Sequence, residues 1–340
     1  MGASHVADAA PGNAVMIGEP PTTLHASRRV TATNTRSALP AGTALSCYRV
    51  LRLIGSGGFS LIYLGEDEDT FDEVAIKEYL PKKFGRRRED LMVEATGSDQ
   101  QLHFDRGLRL FYQEVRTLAT LRHPSIVNVR QCFLAYGTAY LVMDYEPGTS
   151  LAHFIQNRGG ELSVRFMLTV FPPLLDALDL IHSHRHLHLD IKPSNIRLRP
   201  GGRPLLLDFG SANKFSFSEA TEKAKLITPG YSPPEQYHSM GDVGPWTDVY
   251  AVGATMRTCL DGRPPPSSLE RITQDRLPPA VTAYEGRYPD WLLRGIDWAM
   301  GVQVKDRPQG AGDLRDYLLD QAARAGLAAP DSQALDPRAR

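Results

Sequence analysis

The sequence is short of cysteine, of long apolar runs and of net charge, and each shortage closes off a class of protein. Its three cysteines, Cys47, Cys132 and Cys259, are odd in number and far apart. They form no CxxC pair, so neither a disulfide framework nor a zinc knuckle is suggested, and a reducing cytoplasm suits them. No stretch of about 18 apolar residues occurs, which predicts no membrane span. The N-terminus lacks the basic segment and apolar core of a secretory signal, and Met1-Gly2-Ala3-Ser4-His5-Val6 misses the myristoylation pattern because position six is Val. A formal net charge of −1 provides no global positive field, so neither nucleic acid nor an anionic membrane is indicated as a partner. What is present, 42% hydrophobic and 23% charged residues, is the composition of a soluble globular protein. A chain of 340 residues is long enough for one large domain or two ordinary ones.

Residues 1–46 are rich in Ala, Pro, Gly, Thr and Ser, a mixture that buries too little surface to offset its ordering entropy and so predicts a flexible arm. Thr31, Thr33, Thr35 and Ser37 follow Arg28 and Arg29 there, which makes the arm either a solvated tail or a segment for autophosphorylation or docking. Residues 325–340 form a similar tail. In residues 47–145 short β-type runs dominate (Tyr48–Ile54, Leu61–Gly65, Glu73–Glu78, Ala139–Met143), with one amphipathic helix around Leu108–Leu121. In residues 146–324 helical periodicity takes over, as in Ser163–His184 and Trp246–Leu260, interrupted by Pro- and Gly-rich loops. A β-rich part followed by a helical part predicts an α+β fold of two lobes with a cleft between them.

The first chemical signal is Ile54-Gly55-Ser56-Gly57-Gly58-Phe59-Ser60-Leu61-Ile62. It lies between two strands, a setting that implies a flap over phosphates rather than a dinucleotide fold, or else simply a tight turn. Its glycines let backbone N–H groups approach phosphate oxygens. In Val74-Ala75-Ile76-Lys77, strand alternation sends Ala75 and Lys77 to one face. A small residue beside a lone lysine suits a flat base on Ala75 with phosphates at the ammonium; the plainer alternative is a surface lysine on an edge strand. Glu114, on the helical stretch Phe111-Tyr112-Gln113-Glu114-Val115, supplies the anion that such a lysine needs.

The strongest signal is His188-Leu189-Asp190-Ile191-Lys192-Pro193-Ser194-Asn195, followed by Leu207-Asp208-Phe209-Gly210. These segments resemble the catalytic loop and the metal-binding DFG element of the eukaryotic-like protein kinase superfamily, and with the Gly-rich loop and Val74–Lys77 they occur in that family's order. The likeness runs from about Tyr48 to Leu319, and Lys77-Glu78-Tyr79-Leu80-Pro81 resembles bacterial Ser/Thr kinases in particular. The resemblance implies a Ser/Thr protein kinase that uses ATP with Mg²⁺, or Mn²⁺, and acts on protein hydroxyls. It implies roles as well: Asp190 orients the acceptor hydroxyl, Lys192 neutralises the phosphoryl group in flight, and Asn195 and Asp208 hold the metal. Met143 would be the gatekeeper, and the backbones of Asp144 and Glu146 would meet the adenine edge. Thr228-Pro229-Gly230-Tyr231-Ser232-Pro233-Pro234-Glu235 matches the end of an activation segment. Glu235 would pair with Arg307, Asp248 would anchor the catalytic loop, and Thr228 would place a hydroxyl near Asp190.

The sequence departs from that family at several points. Leu189 replaces the arginine that pairs with an activation-loop phosphate, a non-RD arrangement, so activity is expected not to depend on Ser216, Ser218 or Thr221 through that link. Arg197 stands where an apolar side chain usually covers the adenine, though its aliphatic stem can do the same. The stretch between Lys77 and Glu114 is long and carries Lys82-Lys83-Phe84-Gly85-Arg86-Arg87-Arg88; it reads as a solvated loop, or as a docking site or extra strand. His182, His184, His186 and His188 invite a metal, but a metal needs three committed ligands, and His188 reads better as a buried residue near Phe209 and Leu118. The rival to an active enzyme is a pseudokinase acting as a nucleotide-binding scaffold. The presence of Lys77, Glu114, Asp190, Asn195 and Asp208 together argues for turnover, and the Pro233–Glu235 and Arg307 elements argue against a small-molecule kinase.

Overall fold

The computed structural model describes residues 37–207, 227–237 and 241–327, excluding five side chains of the helix over Gln101–Leu118. In the first part of the chain the strands β1 (Ala44–Leu45), β2 (Tyr48–Ser56), β3 (Ser60–Asp67), β4 (Glu73–Tyr79), β7 (Val129–Ala135) and β8 (Thr138–Asp144) form one antiparallel sheet in the order β1-β2-β3-β4-β8-β7. The β-type runs anticipated β2, β3, β4 and β8 to within a few residues; β7 had not been singled out. The pleat sorts the side chains. Leu64, Ala75 and Met143 are register partners, as are Ile62, Lys77 and Leu141, so these share one face. Tyr63, Ile76 and Val142, with Glu78 and Tyr140, take the other.

Helix α1 (Gln101–Leu118) packs beside the sheet and begins a full turn or more before the periodicity suggested. Its Phe104 and Phe111 lie against Tyr79, with ring centroids 5.4 and 5.8 Å apart. The contact requires Gly107, because a Cβ there would fall 2.0 Å from the Tyr79 hydroxyl oxygen.

Two expectations are corrected here. The stretch after β4 is not a plain solvated loop: it forms the hairpin β5 (Gly85–Arg87) with β6 (Val93–Ala95). The Arg87 guanidinium is buried and bonds to Glu78, at 2.5 Å, and to the carbonyls of Leu91 and Ser37, both at 2.8 Å. Tyr63 and Tyr140 also donate to Glu78, at 2.7 and 2.5 Å. Burial first, and then the neighbouring Glu78 carboxylate, push both phenols well above their ordinary value, so they remain donors. Nor is the arm flexible as far as residue 46: Leu39 and Leu45 are buried, the Leu39 amide donates to the Tyr63 hydroxyl, and β1 pairs with β2. A polar composition hides this, since the anchoring relies on two leucines and on main-chain groups. Residues 1–36 and 328–340, where most of both tails fall, lie outside the described residues.

The second part is mainly helical. It contains α2 (Leu151–Arg158), α3 (Val164–Ser183), α4 (Pro234–Tyr237), α5 (Pro245–Asp261), α6 (Ser268–Thr273), α7 (Ala280–Ala283), α8 (Asp290–Ala299) and α9 (Ala311–Arg324). The Ser150 and Ser163 side chains cap α2 and α3 by accepting from His153 N and Phe166 N, each at 3.2 Å. α3 and α5 carry almost continuous buried faces and form the centre of this lobe, with α8 and α9 packed on them. A small sheet, β11 (Pro204–Leu206), β10 (Ile196–Leu198) and β9 (Thr149–Ser150), sits where the chain passes between the two parts. The fold is thus the bilobal α+β arrangement anticipated from the sequence. Among the described residues no helix is long and apolar enough to cross a membrane.

Candidate active site

The loop after α3 is held by one carboxylate. Asp248, in the first turns of α5 and fully buried, accepts from the backbone N–H of His188 at 2.8 Å and of Leu189 at 2.7 Å, and meets His182 Nε2 at 2.9 Å. Burial alone would raise its pKa; the hydrogen bond and charge of His182, then His188, outweigh it and hold the carboxyl below its ordinary 3.8. Leu189 has φ of 62°, a conformation that costs an L-residue about 1–3 kcal/mol and persists only where its surroundings fix it. Gln236 fixes it from the other side, donating to the Leu189 carbonyl at 2.7 Å. The sequence singled out Asp248 but not Gln236, a lone amide with no periodic or motif signal.

The strained loop presents Asp190, which is buried. Its Oδ1 accepts from Lys192 Nζ at 2.7 Å and from Thr228 Oγ1 at 2.8 Å, and Lys192 Nζ also lies 3.2 Å from Thr228 Oγ1. Its Oδ2 and its carbonyl both accept from Asn195 Nδ2 at 2.8 Å. The Asn195 amide nitrogen is therefore committed, while its Oδ1 has only a 3.4 Å contact from Ser194 among the described residues. A hard oxygen left free in this way fits Mg²⁺, which takes few protein ligands. The structure thus brings Asp190, Lys192, Asn195 and Thr228, each singled out in the sequence, into a single hydrogen-bonded cluster. Asp208, Phe209, Ser216, Ser218 and Thr221 lie outside the described residues.

Thr228 is brought to Asp190 by a segment that is itself locked. Gly230 has φ of 89°, and a Cβ there would meet the Pro265 carbonyl at 2.7 Å. Glu235 pairs with the buried Arg307 through contacts of 2.8 and 3.1 Å and accepts from Thr247 at 3.0 Å. Arg307 also donates to the carbonyls of Gly301 and Val302 and stacks on Tyr250, with 4.9 Å from Cζ to the ring centroid. Thr247 and Tyr250 complete this lock and were not foreseen from the sequence.

On the sheet side, Ile54, Gly55 and Ser56 end β2, and the turn Gly57-Gly58-Phe59 leads into β3, which carries Ile62. Ala75 and Lys77 lie on the face shared with Ile62, and Lys77 is buried with its ammonium 5.8 Å from the Phe111 ring centroid. Glu114 falls on α1, with its side chain outside the described set, as is that of Leu118. Met143 and Asp144 end β8. The Asp144 carboxylate is drawn away by Arg130 at 2.5 Å and Asn128 at 2.9 Å, and its amide donates to the Asn128 carbonyl. Glu146 lies 3.7 Å from Arg199. Arg197 donates to the Gly148 carbonyl at 2.8 Å, which pins the end of its side chain and lays the stem across the start of the helical lobe. Three of the four histidines have separate partners: His182 and His188 bond to Asp248 and to the Leu207 carbonyl respectively, and His184 to the Leu180 carbonyl.

The description "protein kinase domain" matches residues 48–282. Among characterised proteins, the chain is 30% identical over 314 residues to the serine/threonine-protein kinase PknK of Mycobacterium tuberculosis, covering 89% of this chain and 26% of that one. It is 27% identical over 287 residues to the probable serine/threonine-protein kinase PknB of Lactococcus lactis, covering 82% and 42% respectively. The chain therefore spans less than half the length of these relatives. A solved structure described as "PpkA-294 apo form" superposes with a TM-score of 0.74 at 34% identity, covering 83% of this chain and 99% of the other.

Proposed function

We propose that this chain, which belongs to the protein kinase family, is an active Ser/Thr protein kinase that transfers the γ-phosphoryl group of ATP to protein hydroxyls, its own included. One observation carries the reading: Asp190, Lys192, Asn195 and Thr228 meet around a single carboxylate. Phosphoryl transfer asks an enzyme for in-line positioning and charge neutralisation more than for covalent chemistry. Asp190 orients the acceptor hydroxyl, and the Thr228 hydroxyl, bonded to Oδ1, helps to hold its carboxylate in place. Lys192, already on the same oxygen, faces the charge that gathers on the transferring group. Asn195 and Asp208 would hold Mg²⁺, or Mn²⁺, which supplies further neutralisation of the phosphates. Lys77, for which Glu114 would supply the anion, holds the phosphates beneath the loop Ile54–Phe59. The adenine lies between Ala75 and the Arg197 stem, near Ile62, with its edge on the Asp144 carbonyl and the Glu146 amide behind Met143.

Leu189 offers no cation to an activation-loop phosphate, so the loop conformation rests on Asp248 and Gln236 instead. We place the enzyme in the cytoplasm, acting on Ser or Thr of protein partners. Incubation with γ-labelled ATP and Mg²⁺ tests the reading: wild type should label, whereas Asp190→Ala and Lys77→Met should not. Equal labelling of all three would leave only the pseudokinase scaffold, and phosphotyrosine as the main product would refute the Ser/Thr assignment.

A further inference from the structure

The stretch between β4 and α1 touches the Gly-rich turn directly. The Leu80 amide donates to the Phe59 carbonyl at 3.0 Å, and the Lys82 amide donates to the Gly58 carbonyl at 2.9 Å. These bonds continue the pairing of β3 with β4 past Ser60–Tyr79 and carry it around the tip of the turn. Across the turn, the Gly57 amide bonds to the Ser60 carbonyl at 2.8 Å. No peptide bond here is cis, so the N–H of Phe59 points opposite to the Gly58 carbonyl. Fixing that carbonyl on Lys82 thus aims the Phe59 N–H away from the Pro81–Phe84 side of the turn. Among the described residues the amides of Gly58 and Phe59 donate to no backbone carbonyl. Successive free N–H groups on one concave side make an anion-binding nest.

The clasp is itself anchored. Phe84 and Gly85 both donate to the Pro81 carbonyl, at 3.1 and 2.7 Å, so Pro81–Phe84 is a closed turn that runs straight into β5. At the far end of β5, the buried Arg87 is tied to Glu78 of β4. A Gly-rich hairpin would otherwise have to be ordered by the nucleotide at an entropic cost.

The geometry points to the Pro81–Phe84 turn as a positioning element for ATP: its main chain holds the Gly-rich turn in the phosphate-binding arrangement before nucleotide arrives. The inference rests on the reading of the cleft as an ATP site. It assigns to the Leu80 and Lys82 amides a share of phosphate affinity but none of adenine affinity.

A substitution can delete one of these donors without disturbing the turn. Lys82 is the second residue of Pro81–Phe84, the position at which β-turns favour proline. Lys82→Pro therefore removes the N–H that bonds to Gly58, and Lys82→Ala keeps it while removing the same side chain. Calorimetry on the full chain with ADP, and separately with adenosine, is the test. Relative to Lys82→Ala, Lys82→Pro should bind ADP about fivefold more weakly, the scale of one net backbone hydrogen bond, and adenosine equally well. Equal ADP affinities, or equal losses for ADP and adenosine, would overturn the proposal. Amide exchange on nucleotide-free wild type judges it independently of the variants: slow exchange at Leu80 and Lys82 is expected, and free-loop rates at both would refute the clasp. A wild type that binds no ADP would refute the nucleotide site instead, and the exchange rates would still decide whether the turn is held.

Discussion

Replacing Arg87 with alanine removes one partner of an ion pair whose side chains are 4% and 0% exposed. The Glu78 carboxylate left behind keeps its two tyrosine donors but loses its cation, and the carbonyls of Ser37 and Leu91 lose a donor. Breaking a buried pair from one side typically costs about 3–5 kcal/mol, because an uncompensated charge remains. For a domain of this size, where each kcal/mol moves the midpoint by about 2 °C, the melting temperature should fall by about 6–10 °C. Glu78→Gln keeps an acceptor for the tyrosines and leaves Arg87 facing a neutral amide. The two single variants and the double variant form a cycle whose coupling should be about 2 kcal/mol, since contacting residues are not additive. Denaturant unfolding of all four proteins measures this. A loss under about 1 kcal/mol for Arg87→Ala, or additivity in the cycle, would show that the insert rests loosely on the sheet and refute the reasoning.

Two further outcomes test the helical lobe. Asp248 has its pKa held below 3.8, so its contribution to stability is complete above that value and drains away as pH falls through the lowered one; Asp248→Asn should therefore flatten the acid side of a stability–pH curve while reducing stability at neutral pH, and an unchanged acid limb would contradict the assignment. Gly230→Ala places a Cβ 2.7 Å from the Pro265 carbonyl at φ of 89°, which should displace Thr228 from Asp190 and lower the phosphorylation rate about tenfold or more, a loss of at least about 1.4 kcal/mol in the barrier, while the strain of about 1–3 kcal/mol lowers the melting temperature by about 2–6 °C. Retention of full activity would mean that Thr228 does not depend on that turn.

What the sequence made legible follows from how each feature is written. Asp190, Lys192 and Asn195 lie within six residues and are brought together by one loop, so a linear motif captures them. Glu235 and Arg307, and the catalytic loop and Asp248, are distant in sequence yet were paired through family resemblance rather than through any local pattern. Gln236, Thr247 and Arg87 escaped because their partners are main-chain carbonyls or carboxylates on other elements, and neither periodicity nor composition records such a partner. Arg87 was the least visible: in a run of five basic residues among seven, nothing distinguishes the one whose guanidinium is buried from those in solvent. Alternation did fix its destination indirectly, since it sends Lys77 and Glu78 to opposite faces of β4.

That alternation has an evolutionary consequence. Glu78 is tolerable in the core only with Arg87 and the two phenols, so the four positions should be inherited as a package. A relative that shortens the hairpin and loses the arginine should also carry an apolar residue where Glu78 stands, directly after its own counterpart of Lys77. Position 37, by contrast, takes part only through its carbonyl, and so is free to drift in identity while the contact it makes is preserved.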